Sequence, residues 1–206
     1  MIAKFDQNLD AYHTQYGETE VRVGFINPFI EALGWDVTNK TGIAEAYKDV
    51  IHEAAVKVGG ATKAPDYSFR IGGTKKFFLE AKKPSVGIKD DTGPAYQLRR
   101  YAWSAKLPLS ILTNFAEFAV YDCHAPPKEN DKASTDRVLY FTYKEYASRW
   151  EEITAVFSKD AVLHGSFDKF AESGKRKRGT SQVDAAFLDE IEGLRDALAR
   201  NLTLRT

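Results

Sequence analysis

Residues 64–82 read Ala64-Pro65-Asp66-Tyr67-Ser68-Phe69-Arg70-Ile71-Gly72-Gly73-Thr74-Lys75-Lys76-Phe77-Phe78-Leu79-Glu80-Ala81-Lys82. Two runs rich in aromatic residues flank Gly72-Gly73, the pattern of a β-hairpin. Pairing Asp66 with Glu80 sets Tyr67 opposite Leu79, Ser68 opposite Phe78 and Phe69 opposite Phe77. Side chains alternate across a strand, so Tyr67, Phe69, Ile71, Phe77, Leu79 and Ala81 share one wholly apolar face, which must be core. The other face carries Asp66, Ser68, Arg70, Phe78, Glu80 and Lys82. A slip of one residue would mix the two faces, so the pattern alone sets Asp66 beside Glu80.

Like charges directly across two strands are unfavourable, and something must compensate them. A divalent cation would. Mg²⁺ prefers one or two carboxylates, with water and substrate phosphates completing its shell. The backbone carbonyl of Ala81 would be a further ligand. Lys82 shares the face with Glu80 and would orient or deprotonate an attacking water, or stabilise charge in the transition state. The competing reading is an Asp-Lys-Glu cluster on a solvated strand face. Pro65 before Asp66, and Glu80-Ala81-Lys82 after one strand-turn-strand spacing, weigh against it.

Outward from the hairpin, Phe5, Leu9, Tyr12 and Tyr16 predict a helix over 4–16. Val21, Phe25, Phe29 and Leu33 predict a second over 18–33, kinked at Pro28. Residues 50–58 read as one strand. Residues 93–106 read as a helix with Gln97 and Tyr101 on one side. Two strands with a tight turn near Asn114 follow, then a polar loop over 124–136, a short strand, and a helix over 144–158. The order α-α-β-β-β-α-β-β predicts an α/β sandwich, with a central mixed sheet flanked by helices. A first domain over 1–157 would precede a helical connector over 158–206, with a basic loop at 174–179. The last stretch, from Val183, reads as one amphipathic helix with no stop signal, so the natural protein is expected to continue past residue 206.

With 206 residues, 43% hydrophobic and 28% charged, the chain has material for a real core and is not globally disordered. Its 29 basic and 29 acidic residues cancel, so any polyanion must be met by local patches. The single cysteine, Cys123, excludes an internal disulfide and a zinc finger and fits a reducing cytoplasm. No apolar run approaches the ~18 residues of a membrane span. Cys123 and His124 diverge as neighbours on a strand, which argues against a cysteine protease. His13, His52, His124 and His164 show no metal-ligand spacing.

Ala64-Pro65-Asp66 followed by Glu80-Ala81-Lys82 resembles the PD-(D/E)-x-K nuclease signature. Gln97-Leu98-Arg99-Arg100-Tyr101 resembles the Q-x-x-x-Y motif that follows the core in RecB-like and Type I restriction nucleases. Leu112-Thr113-Asn114-Phe115 through Val120-Tyr121-Asp122 looks like the strand pair of those domains. Glu20-Val21-Arg22 through Leu33-Gly34-Trp35-Asp36 looks like their first helices. Over nearly its whole length the sequence is similar to the N-terminal part of Type IIG restriction–modification enzymes. Downstream adenine methyltransferase and specificity domains would follow, and no methyltransferase signature occurs here.

The resemblance implies a restriction-endonuclease-like core and a Mg²⁺-dependent DNA endonuclease, with Mn²⁺ able to substitute. Asp66, Glu80 and the Ala81 carbonyl would bind metal, with Glu20 as the helix carboxylate and nearby Glu18 as its alternative. Lys82 would be catalytic, and Gln97 and Tyr101 would lie near the metal or the scissile phosphate. Arg99, Arg100 and Lys83 would meet double-stranded DNA. Lys175-Arg176-Lys177-Arg178 would either contact phosphates or form a solvated loop. Cleaving both strands implies a transient homodimer on DNA. The alternatives are a non-catalytic DNA-binding or docking module, and the nuclease domain of a helicase-driven Type I subunit.

Overall fold

The computed structural model describes residues 1–173. The basic run at 175–178 and the helix expected from Val183 lie outside the described residues. The chain opens with α1 (Ile2–Gln7), α2 (Leu9–Gln15) and α3 (Glu18–Val21), a π-helical turn (Arg22–Ile26) and α4 (Asn27–Ala32). Short strands β1 (Val50–His52), β2 (Val56–Val58) and β3 (Ala61–Lys63) lead into the hairpin of β4 (Tyr67–Ile71) and β5 (Thr74–Ala81). Helix α5 (Thr92–Ser104) crosses to β6 (Leu109–Thr113), followed by β7 (Glu117–Asp122), β8 (Arg137–Thr142), α6 (Trp150–Phe157) and α7 (Lys159–Leu163).

Six strands form one sheet in the order β1-β4-β5-β6-β7-β8. Within it β5 and β6 run parallel, because α5 carries the chain from the end of one to the start of the other. The expected mixed sheet flanked by helices is what forms. One sheet face packs Phe69, Phe77, Ile111 and Phe118 against Phe5, Phe25, Phe29, Trp35 and Phe157. Phe69 and Phe77 stack with centroids 4.3 Å apart, and the Trp35 indole donates to the Phe157 carbonyl at 2.8 Å. The other face packs Phe78, Leu112, Ala119 and Tyr121 against Leu98 and Ala102 of α5. The first-face core runs past residue 157, through Val162, Phe167 and Ala171, and the compact unit spans Met1–Ala171. Among the described residues no helix is long and apolar enough to cross a membrane.

Several elements depart from the sequence expectation. The helix expected over 4–16 breaks at Asn8, whose amide donates to the Lys4 carbonyl at 2.9 Å. The helix over 18–33 widens into the π-turn just before Pro28. Pro28 has no N–H to give, and its ring would crowd the preceding carbonyls of a regular helix. Residues 50–58 are two strands, not one. Val50 belongs to the first-face core, while Val56 and Val58 belong to the second. One straight strand cannot serve both, and the chain turns at Glu53 with φ 50°. β2 then pairs with β3 outside the main sheet. The helix expected from 144 begins only at Trp150, because residues 143–145 form a 3₁₀ turn closed by a Thr142–Glu145 capping box.

The largest correction concerns Arg99. It is not on the surface, where a DNA contact would need it: it is 2% exposed and its guanidinium holds Asp131 at 2.8 Å and also Asp136. It ties α5 to the 124–136 loop. Helix spacing explains the error, since Leu98 and Ala102 turn the same side of α5 inward. Arg100 is exposed and lies over the Tyr96 ring.

Removing one partner of a buried ion pair strands the others. Arg99→Ala is expected to lose about 3 kcal/mol of stability in urea denaturation. Arg100→Ala should lose less than about 0.5 kcal/mol. Equal midpoints for the two variants would contradict the tie.

Candidate active site

The hairpin pairs as its alternation requires: Tyr67 with Leu79, Ser68 with Phe78, Phe69 with Phe77. Beyond Phe69 the register shifts and Arg70 pairs with Lys75, away from the site. The second face is not solvated. α5 and the valines of β2 pack over it around Phe78, and Ser68 and Phe78 are fully buried and Glu80 is 4% exposed. Tertiary covering thus turns an ordinary cross-strand acid into a buried one.

Glu80 Oε1 accepts hydrogen bonds from Lys82 Nζ at 2.8 Å and Gln97 Nε2 at 2.6 Å. Its Oε2 is buried and has no donor. Burial, then the Asp66 charge, pushes the Glu80 carboxyl up to about 7. Asp66 Oδ2 accepts from the Ala81 N–H at 2.7 Å, and Oδ1 from Arg22 Nη1 at 3.2 Å. Burial works to lower the Lys82 ammonium, but Glu80, Glu18 and Asp66 outweigh it and the net shift is upward. Tyr101, one turn from Gln97, is raised by burial and then by Glu80. The site thus gathers Asp66, Glu80, Lys82, Gln97 and Tyr101 at the end of β5 under α5.

Glu20 is not brought there. It is exposed and its carboxylate folds back over Gly17 at the start of its own helix. The helix carboxylate facing the site is Glu18, 4.0 Å from Lys82 Nζ and raised by burial and then by Asp66. Arg22 also belongs to the site, although no sequence motif assigns it a role there. The signal for it was spacing: Arg22 follows Glu18 by one helical turn, so both face the same way. Lys83 and Arg100 are exposed beside the site residues in sequence. Cys123 is buried and its thiol is pushed up by burial, so it is unreactive. His124 pairs with Asp122 at 2.8 Å.

The donor set fits a hard divalent cation. Glu80 Oε2 is an unpartnered carboxylate oxygen in a low-dielectric setting, which is costly unless a cation meets it. Among the described residues, the Asp66, Glu80 and Glu18 carboxylates are ion-paired with Arg22 and Lys82, leaving one net negative charge once Glu80 has lost its proton. No cage of three or more His, Cys, Asp or Glu ligands exists among the described residues. An open site with two carboxylates and a backbone carbonyl suits Mg²⁺, which keeps several waters and meets phosphate oxygens.

The burial of Glu80 has a pH signature. Its folded value of about 7 exceeds the ordinary 4.5, so the folded chain keeps a proton that the unfolded chain has released. That stabilisation is complete below the lower value and is lost as pH rises through the upper one. In EDTA, the Tm of Glu80→Gln relative to wild type should therefore rise by several degrees from about pH 5 to about pH 8. A flat or opposite trend in calorimetry would show that Glu80 is not desolvated in this way.

The family of Type I restriction enzyme R protein N termini matches residues 15–129. The chain is 38% identical over 202 residues to the Type II restriction enzyme and methyltransferase RM.Eco57I of Escherichia coli. That match covers 97% of this chain and 20% of the relative, so the chain spans about a fifth of that protein's length. The crystal structure of the type IIG restriction endonuclease BpuSI aligns with 72% of this chain and 17% of its own, at 17% identity and a TM-score of 0.42. The family match spans more than half of the chain and takes in every residue from Glu18 to Tyr101 that builds the site: the chain belongs to the family of Type I restriction enzyme R protein N termini.

Proposed function

We propose that this domain is the cleavage module of a restriction–modification enzyme, a divalent-cation-dependent DNA endonuclease. The observation that carries this reading is the buried, donorless Oε2 of Glu80, a carboxylate whose other oxygen holds Lys82 at the end of the hairpin. Asp66, Glu80 and the Ala81 carbonyl would hold Mg²⁺, or Mn²⁺ in its place. When bound, the cation would supply Lewis-acid polarisation of a phosphate oxygen and acidify a water.

The protein's own groups do the rest. Gln97 donates to Glu80 Oε1 and fixes the carboxylate rotamer, leaving Oε2 without a donor. Lys82 is held as an ammonium by Glu80 and Glu18, which suits it to orient the attacking water and to stabilise charge developing on the phosphorus oxygens. Tyr101 lies one turn from Gln97 and would pack beside the scissile phosphate. Exposed Arg100 and Lys83 would meet the DNA backbone, where each contact adds salt dependence. Hydrolysis of both strands would need two such sites, hence a transient homodimer on double-stranded DNA. RM.Eco57I is named as both a restriction enzyme and a methyltransferase, and methyltransferase and specificity domains would follow this module in a full-length protein.

Supercoiled plasmid incubated with Mg²⁺ or Mn²⁺ should be nicked by wild type. Lys82→Ala should nick at least about 100-fold more slowly, while its circular dichroism remains that of the folded chain. Nicking by Lys82→Ala at the wild-type rate would overturn the assignment.

A further inference from the structure

We propose that Arg22 is the movable counter-ion of this site: it holds Asp66 until a divalent cation takes that carboxylate, and its guanidinium then binds a phosphate of the DNA. The inference rests on the nuclease reading above and adds a residue to it.

Arg22 opens the π-turn that Pro28 forces on the helix, and such turns often mark functional positions. Its side chain is 18% exposed, so it borders the site without being sealed in. Its contact with Asp66 is a single bond of 3.2 Å to one oxygen, not the two parallel bonds that a guanidinium makes with a well-matched oxyanion. The other Asp66 oxygen already accepts from Ala81. Oδ1 is therefore the oxygen for which the cation and Arg22 compete.

Three further contacts keep Arg22 at the site once Asp66 is given up, one of them between its Nη2 and His52 Nδ1 at 3.4 Å. Its guanidinium lies 4.9 Å from the centre of the Tyr67 ring. Its Nε donates to the Tyr67 hydroxyl at 3.2 Å, and that hydroxyl donates in turn to Asn27 Oδ1 at 2.7 Å. The hydroxyl is thereby oriented to accept from Arg22. Without the charge of Arg22 itself, the three carboxylates and Lys82 sum to −2 once all are ionised, and a divalent cation cancels that charge. The pull that holds the guanidinium on Asp66 is then lost, and the loaded site with Arg22 carries +1 and attracts an anion. A phosphodiester offers paired oxygens that match the fork.

The test uses the 206-residue chain and two readouts. Mn²⁺ uptake is measured by electron paramagnetic resonance without DNA, with Asp66→Asn as the control for the site. Duplex affinity is measured by fluorescence anisotropy in Ca²⁺ at fixed salt. Arg22→Met should bind Mn²⁺ at least about five-fold tighter, since a competing charge is gone, yet bind duplex at least about five-fold more weakly. Arg22→Lys, which keeps the charge but loses the fork and the Tyr67 stack, should shift both affinities in the same directions by less. A merely structural arginine would weaken both together. A parallel loss in both variants, or no change in either, would overturn the inference. Failure of wild type itself to take up Mn²⁺ would instead overturn the nuclease reading, and this inference with it.

Discussion

The Glu80 carboxylate, buried between the hairpin and α5 with one oxygen left without a donor, is the constraint around which the site is arranged. Burying a charge in protein is costly, and a fold keeps such a group only where something compensates it. Lys82 and Gln97 converge on Oε1 alone. They fix the carboxylate and leave Oε2 without a donor. Removing either donor would free the rotamer that the site depends on.

The rest of the fold serves that placement. The β5-α5-β6 crossover makes the second sheet face a core and carries Gln97 over the end of β5. The Arg99 tie to the 124–136 loop holds α5 from its far side. The first-face aromatic cluster anchors α3 and the π-turn, which present Glu18 and Arg22 to the same point. Loop 83–91, which follows Lys82, is pinned where the Ile88 N–H donates to Glu117 and the Asn114 amide donates to the Val86 carbonyl. Rigid support of this kind fixes a reacting geometry more closely than a free loop would.

The hairpin and its register are legible in the sequence because one face is wholly apolar, and a period of two admits a single register there. That alternation by itself brings Asp66, Glu80 and Lys82 together. Gln97 and Tyr101 are legible by helical spacing. The burial of the opposite face is not, because a sequence does not say which helix will lie on Phe78. Arg99 misleads for the same reason: an arginine turned inward beside Leu98 finds its partners in Asp131 and Asp136, distant in sequence. Glu18 and Glu20 differ by two positions, so they point to different sides of a helix. The π-turn, which contains Phe25, shifts the phase of the apolar stripe relative to them, so a regular 3.6-residue count could not choose between them. The expected single strand over 50–58 fails because its valines belong to two separate cores.

The most direct measurement is anomalous diffraction from crystals of this chain soaked in Mn²⁺. The expected result is a manganese peak bonded to Glu80 Oε2 and to an Asp66 oxygen, at about 2.0–2.3 Å, close to the range for hard divalent cations on oxygen. A structure at comparable Mn²⁺ concentration with no peak there, and with Glu80 Oε2 hydrogen-bonded to a protein donor instead, would contradict the metal site and the chemistry built on it.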